Sequence, residues 1–204
     1  MTERTYDVYI VGLGGQGILT IGDVLAHAAL MKGLKVNFYP TKGMSQRGGF
    51  VQGQLRIGRE AVGASLPPQG ADLVVAMERS EALKGIRFAK EGTDFLLYDY
   101  IWPTTAVVMG KAHYPEMSEV TEAVKASRAN LICLSDASLP QYNGVPVRAN
   151  MFILGALLKR TRLKDIISYD DVVSAMSELW PKGADANLTA LKAGFEAKVE
   201  TVTA

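Results

Sequence analysis

The sequence predicts an α/β protein: a mostly parallel sheet with flanking helices, followed by a helical C-terminal part. Three observations predict it. Residues 7–11 form a short β-branched apolar run with little alternation, the pattern of a strand buried on both faces of a parallel sheet. A glycine-bearing turn, Val11-Gly12-Leu13-Gly14-Gly15-Gln16-Gly17, follows that run and opens an apolar-periodic segment over residues 18–31. From Ala149 onward the apolar period becomes helical and stays so.

Taken in order, the first helix is expected over residues 18–31, with Leu19, Gly22, Leu25, Ala26, Ala29 and Leu30 as its apolar stripe and Gly33 as its C-terminal stop. A second strand over residues 34–39 ends at Pro40. The first forty residues therefore read as a βαβ unit, and Gly12, Gly14 and Gly17 fall in G-x-G-x-x-G spacing at its first turn, which makes the expected fold Rossmann-like. Residues 50–57 alternate Val51, Gly53, Leu55 and Ile57 with Gln52, Gln54 and Arg56, a half-exposed strand. Residues 58–70 carry three glycines and two prolines and read as a loop or short hairpin. A strand over 72–77, a helix over 78–89 stopped by Gly92, and a strand over 95–98 follow. Residues 106–109 read as a short strand, 118–127 as a helix and 131–134 as a strand. Met151, Leu154, Gly155 and Leu158 stripe the first C-terminal helix. The second covers 169–179, and the third carries Leu188, Leu191, Phe195, Val199 and Val202, with Asp185 as its N-cap. No composition break separates two domains, so residues 1–204 are expected to form one.

Composition bounds the function. Lysine plus arginine number 22 against 21 acidic residues, and a net charge of +1 offers no field to gather nucleic acid or an anionic membrane. The single cysteine, Cys133, excludes an internal disulfide and an iron–sulfur cluster held by this chain's own thiolates. Polar Thr2, Glu3 and Arg4 precede a strand too short for a signal segment, and no apolar run approaches the ~18 residues of a membrane span. A soluble cytoplasmic protein is expected.

The candidate site follows from the glycines. They let backbone turn sharply and approach a ligand, while the helix they open presents unpaired N–H groups to an anion. A dinucleotide reading also requires an acid near the end of the second strand, where this chain has Asn37, Phe38 and Tyr39. A second stretch, Lys42-Gly43-Met44-Ser45-Gln46-Arg47-Gly48-Gly49, follows that strand, and Lys42 and Arg47 can pair with a phosphate such as that of a coenzyme A or NADP tail. The two loops are expected to face one another across one site comprising Gly12, Gly14, Gly15, Gln16, Gly17, Lys42, Ser45, Gln46, Arg47, Gly48 and Gly49. The bland alternative is that the glycines only permit close strand–helix packing. His27 reads as a surface or structural histidine, and His113 has no carboxylate partner visible in the sequence. Trp102 and Trp180 suit either core or interface. No self-contained catalytic set is found, and no metal-ligand spacing.

Three ordered motifs carry a resemblance over nearly the whole chain: Gly12 to Gly17, Gly43 to Gly49, and Asn150-Met151 with Leu154-Gly155-Ala156-Leu157, continuing to Asn187-Leu188 and Ala190-Leu191. Together they resemble the gamma-type subunit of 2-oxoacid:ferredoxin oxidoreductases, and the Met44-Ser45-Gln46-Arg47-Gly48-Gly49 form is most similar to the indolepyruvate oxidoreductase beta subunit. The resemblance implies a subunit, inactive alone, of a thiamine diphosphate enzyme that converts a 2-oxoacid to an acyl-CoA and passes electrons to ferredoxin. It implies that thiamine diphosphate and iron–sulfur clusters belong to a large partner subunit, with coenzyme A as co-substrate. It further implies that Ser45, Gln46, Arg47, Gly48 and Gly49 face the partner or coenzyme A. A free-standing Rossmann-like nucleotide- or flavin-binding protein and a nucleotide-sensing or structural module remain the alternatives.

Overall fold

The computed structural model describes residues 5–42, 48–59, 63 and 65–202. Strand β1 (Tyr6–Leu13), buried over all eight residues, leads into helix α1 (Ile18–Met31), strands β2 (Val36–Lys42), β3 (Phe50–Ile57) and β4 (Ala71–Ala76), and helix α2 (Arg79–Gly85). Then come β5 (Ala89–Asp99), α3 (Thr105–Val108), α4 (Met117–Ala126), β6 (Asn130–Ser135) and a small hairpin, β7 (Gln141–Tyr142) with β8 (Val145–Pro146). Helices α5 (Ala149–Arg160), α6 (Tyr169–Leu179) and α7 (Asp185–Glu196) precede a last strand, β9 (Glu200–Val202).

The main sheet has seven strands in the order β2-β3-β1-β4-β5-β6-β9. Strands β1, β4, β5 and β6 pair in parallel, and β2 runs the same way, so five of the seven share one direction. The expected α/β fold is present, with a different start. Strand β3 lies antiparallel between β1 and β2, in register from Tyr6↔Ile57 to Leu13↔Phe50 and from Val36↔Ile57 to Lys42↔Val51. The first forty residues thus do not form adjacent parallel strands. Pairing on both sides satisfies the backbone of β3, and the expected half-exposed strand is instead buried from Gly53 to Ile57. Gln54 and Arg56 are buried and partnered: Gln54 accepts from Leu66 N at 2.5 Å, and the Arg56 guanidinium meets Asp7 at 3.1 Å.

Helix α1 ends as its glycine predicts. Gly33, at φ 71°, donates to Leu30 O at 2.9 Å, and Leu34 donates to Ala29 O at 3.0 Å, the two bonds of a Schellman stop. The expected helix over 78–89 is shorter: α2 gives way to a tight turn over Ile86–Phe88, and β5 begins at Ala89. Gly92 does not stop a helix. At φ 76° it lies where the β4–β5 register jumps from Ala71↔Ala89 to Leu73↔Asp94, an irregularity that a left-handed residue accommodates. Residues 105–108 form one helical turn after Thr104 instead of a strand. The last helix stops at Glu196, and Val202 pairs with Leu131 at a sheet edge instead of extending the helical stripe. Asp185 is the first helical residue, with Ala184 at the cap.

Two apolar layers sandwich the sheet. Val8, Ile10, Leu73, Val75, Leu96 and Ile132 pack beneath α1, α5, α6 and α7, while Tyr9, Val11, Val74, Phe95 and Leu131 pack against α2 and α4. Helix α5 is buried from Asn150 to Leu158, and it can be so because two glycines bring it against α7. A Cβ on Gly155 would strike Leu191 O, and one on Gly194 would strike Phe152 O.

Candidate functional site

The carboxyl ends of β1, β4, β5 and β6 lie along one edge of the sheet, and a cavity of about 590 Å³ opens there, the usual ligand position of an open α/β sheet. Its floor is the turn after β1. Gly15 (φ 98°) and Gly17 (φ 79°) take left-handed backbone, which sends the chain sharply into α1. Gly12 is demanded by packing: a Cβ there would meet Gln16 Oε1 at 2.6 Å and Met77 Cβ at 3.0 Å. Gly17 presses on the side chain of Asn150, which is only 4% exposed at the start of α5.

The second glycine stretch docks directly on the first. Gly14 N donates to Gly49 O at 2.8 Å, and Gly48 N donates to Gly14 O at 3.3 Å. Of the expected site residues, Gly14, Gly15, Gln16, Gly17 and Gly48 line the cavity, Gly12 supports the turn from beneath, and Gly49 holds the docked loop. Lys42 ends β2, and its side chain, with all of Ser45, Gln46 and Arg47, lies outside the described residues. Gln16 has a role the sequence did not disclose. Its Oε1 accepts from Leu13 N at 2.7 Å and its Nε2 donates to Met77 O at 2.6 Å, so the amide bridges the end of β1 to the residue after β4.

The remaining wall comes from residues outside the expected site set, although the sequence suits Trp102 to core or interface and includes Asn150 in the third motif. Tyr98, Tyr100 and Trp102 stack in series, with ring centroids 6.2 and 6.1 Å apart and interplanar angles of 5° and 26°. Their i, i+2 spacing was the available signal, since alternate residues of extended chain share a face. The Tyr98 hydroxyl donates to Asp136, and burial, then that carboxylate, pushes its pKa up; Tyr100 is likewise raised by burial and by the negative charge of Asp136 and Glu78. Both phenols are therefore neutral hydrogen-bonding groups at neutral pH. Arg148 and Asn150 close the cavity at the N-terminus of α5. The exposed Arg148 guanidinium has no ion pair among the described residues, and local sequence gave no sign of it.

The cavity thus offers two helix N-termini, a cation and a ring surface, which suits an anionic, ring-bearing ligand. No serine, cysteine, lysine or histidine lines it among the described residues. His27 instead meets Glu178 at 2.8 Å on the surface, and His113 has the carboxylate partner that the sequence did not reveal, Glu119 at 2.8 Å, which raises its pKa. Among the described residues no group of three or more His, Cys, Asp or Glu is placed to hold a metal, and no helix is long and apolar enough to cross a membrane.

A Rossmann-like α/β domain with a cavity at the carboxyl ends of its parallel strands is the class that this fold defines. The chain belongs to the pyruvate ferredoxin/flavodoxin oxidoreductase family, whose model matches residues 7–197. It is 33% identical to the indolepyruvate oxidoreductase subunit IorB of Thermococcus kodakarensis over 97% of this chain and 98% of that one. In fold it is similar to the pyruvate oxidoreductase subunit PORC of Thermotoga maritima, with a TM-score of 0.66 at 22% identity over 97% and 98% of the two chains. It is also similar to 31% of a chain of 2-oxoglutarate:ferredoxin oxidoreductase from Magnetococcus marinus, with a TM-score of 0.59 at 22% identity over 95% of this chain, in a structure with 2-oxoglutarate, coenzyme A and succinyl-CoA bound.

Proposed function

We propose that the chain is the gamma-type subunit of a thiamine diphosphate-dependent 2-oxoacid:ferredoxin oxidoreductase, inactive alone, that forms one domain and completes the active-site and coenzyme A region of a large partner. An aryl 2-oxoacid, indolepyruvate, is the substrate, oxidised and decarboxylated to an acyl-CoA. The observation that carries this reading is the make-up of the cavity: helix N-termini, Arg148 and stacked rings able to hold an anionic ligand, with no nucleophile–base pair among the described lining residues. Such a wall binds and orients, and bond-making groups must then come from elsewhere. The single cysteine does not suit an iron–sulfur cluster, which needs several thiolates. Thiamine diphosphate and the clusters accordingly reside in the partner, with ferredoxin as electron acceptor. No nucleic acid or membrane is involved, and the complex is cytoplasmic.

The dinucleotide alternative loses support from the topology as well as from the missing acid. Strand β3 separates β2 from β1, so Asn37, Phe38 and Tyr39 do not flank the glycine turn as adjacent parallel strands require. Co-expression with a thiamine diphosphate- and cluster-containing large subunit tests the proposal. The two chains are expected to co-purify and to reduce ferredoxin with indolepyruvate and coenzyme A, whereas neither chain does so alone. Oxidation of a substrate with NAD by this chain alone at a useful rate, or full activity of the large subunit without it, would overturn the reading.

A further inference from the structure

Residues 101–113 leave the body between β5 and α4, and all of them except Val107 are exposed. The excursion is nevertheless organised. The Thr104 side chain caps the start of α3, and Gly110, at φ 67°, closes its end, with Gly110 N donating to Val107 O at 2.9 Å and Lys111 N to Ala106 O at 2.8 Å. Its two ends meet on one buried carboxylate. Glu78, at the N-terminus of α2, is 0% exposed, and its Oε2 accepts from Ser80 Oγ at 2.6 Å and from Glu81 N at 2.9 Å, which fixes the carboxylate plane. Its Oε1 accepts from Trp102 N at 3.3 Å and from the Tyr114 hydroxyl. The neighbouring Arg79 reinforces the root: its N donates to Tyr100 O at 3.0 Å and its guanidinium forks onto Asp99 at 2.8 and 3.1 Å.

This held segment turns apolar surface to solvent. No residue from Tyr100 to Gly110 is charged, and Ile101, Trp102, Val108 and Met109 are 50, 49, 76 and 58% exposed. Ordering a segment costs backbone entropy, and this one recovers little of it by burial within the chain. A cluster of exposed apolar side chains on a fixed support marks an interaction surface.

We propose that residues 101–110 form a docking arm on which the large partner subunit seats an apolar face, against Ile101, Val108 and Met109. Two observations select that occupant. The arm starts at Trp102, which also lines the cavity beside Gly48, its Nε1 3.3 Å from where a Cβ on that glycine would lie. A chain that covers the arm is therefore brought to the cavity mouth, where the bond-making groups missing from the described lining residues must enter. The absence of charge over these eleven residues also offers nothing to attract nucleic acid or an anionic membrane, whereas it suits the apolar centre of a protein interface. The inference rests on the reading of the chain as a subunit, and it names the surface through which the subunit assembles.

The experiment uses the co-expressed complex, captured through a tag on the large subunit and then followed by mass photometry on dilution. Val108→Asp/Met109→Asp should move the midpoint of dissociation to at least about tenfold higher concentration, the loss expected for an interface anchor, with the far-UV circular dichroism and Tm of the chain alone unchanged. Leu30→Asp/Met31→Asp alters an apolar pair at the end of α1 that is likewise exposed, at 56 and 45%, and it should leave the midpoint where it is. Equal midpoints for the parent and the Val108→Asp/Met109→Asp complex would overturn the proposal. A dimer of the chain alone that the same variant abolishes would assign the arm to a second copy and overturn it too. Failure of the parent chain to assemble at all overturns the subunit reading itself, and the arm's role with it.

Discussion

Replacing Gly17 by alanine separates the two demands that the glycine turn makes. At φ 79° an L-residue incurs left-handed strain of roughly 1–2 kcal/mol. The new Cβ would in addition lie 2.9 Å from Asn150 Cγ and 3.1 Å from Asn150 Cβ, closer still to the amide nitrogen, and Asn150 is buried. Overpacking of this kind adds about 1–3 kcal/mol. The sum, about 2–5 kcal/mol, corresponds to a Tm fall of roughly 4–20 °C in a chain of this size. Gly15→Ala provides the control, because Gly15 has φ 98° but nothing within 4 Å of an added Cβ, so only the strain remains. The assay is thermal and urea unfolding of both variants, with Asn150→Ala and the Gly17→Ala/Asn150→Ala double variant closing a cycle. Gly17→Ala is expected to be the more destabilising, and part of its excess should vanish when Asn150 is truncated. Equal losses for the two glycines, with no coupling to Asn150, would refute the packing argument.

Further expectations follow from the same geometry. Gly194→Ala sets a methyl against the Phe152 backbone, where no side chain can yield, so it should destabilise by at least about 3 kcal/mol or abolish soluble expression, whereas Gly183→Ala, with open space, should cost no more than its left-handed strain of about 1–2 kcal/mol. Asp7→Asn leaves the buried Arg56 guanidinium without its charge partner and should cost about 3–5 kcal/mol in urea unfolding, partly relieved by Arg56→Met in the double variant. For Asp171, burial alone would raise the pKa, but hydrogen bonds from Lys32 and Ser168 outweigh it and lower it. A depressed folded pKa contributes stability above the ordinary carboxylate range that is lost as pH falls through the folded value. Lys32→Ala should therefore flatten the acid limb of the stability–pH curve and leave the curve's shape above pH 6 unchanged.

What was legible in the sequence was what local pattern determines. The β-branched run of β1, the stripe of α1, the Gly33 stop and the amphipathic α4 and α6 each follow from neighbours in the chain. Strand order does not. Nothing in residues 50–57 says that they insert antiparallel between β1 and β2, and their alternation of Gln52, Gln54 and Arg56 implied solvent where the fold supplies Tyr9, Leu66 N and Asp7 as partners. Gly92 and Val202 were misread for the same reason: each serves a pairing with a strand distant in sequence. In the candidate site, the glycine turn and its meeting with Gly48 and Gly49 were readable. Arg148, Asn150 and the aromatic wall enter it only because α5 begins and β5 ends at the same edge of the sheet. Gln16 was read as a ligand contact, and its tie to Met77 O required knowing that β4 lies beside β1.

The proposal that this cavity serves coenzyme A is tested most directly by the KM for coenzyme A of the reconstituted complex carrying Arg148→Ala. Loss of one charge-assisted contact to a phosphate should raise that KM by about ten- to a hundredfold, with the KM for the 2-oxoacid and the co-purification of the subunits unchanged. An unaltered KM for coenzyme A, or a rise confined to the 2-oxoacid, would contradict it.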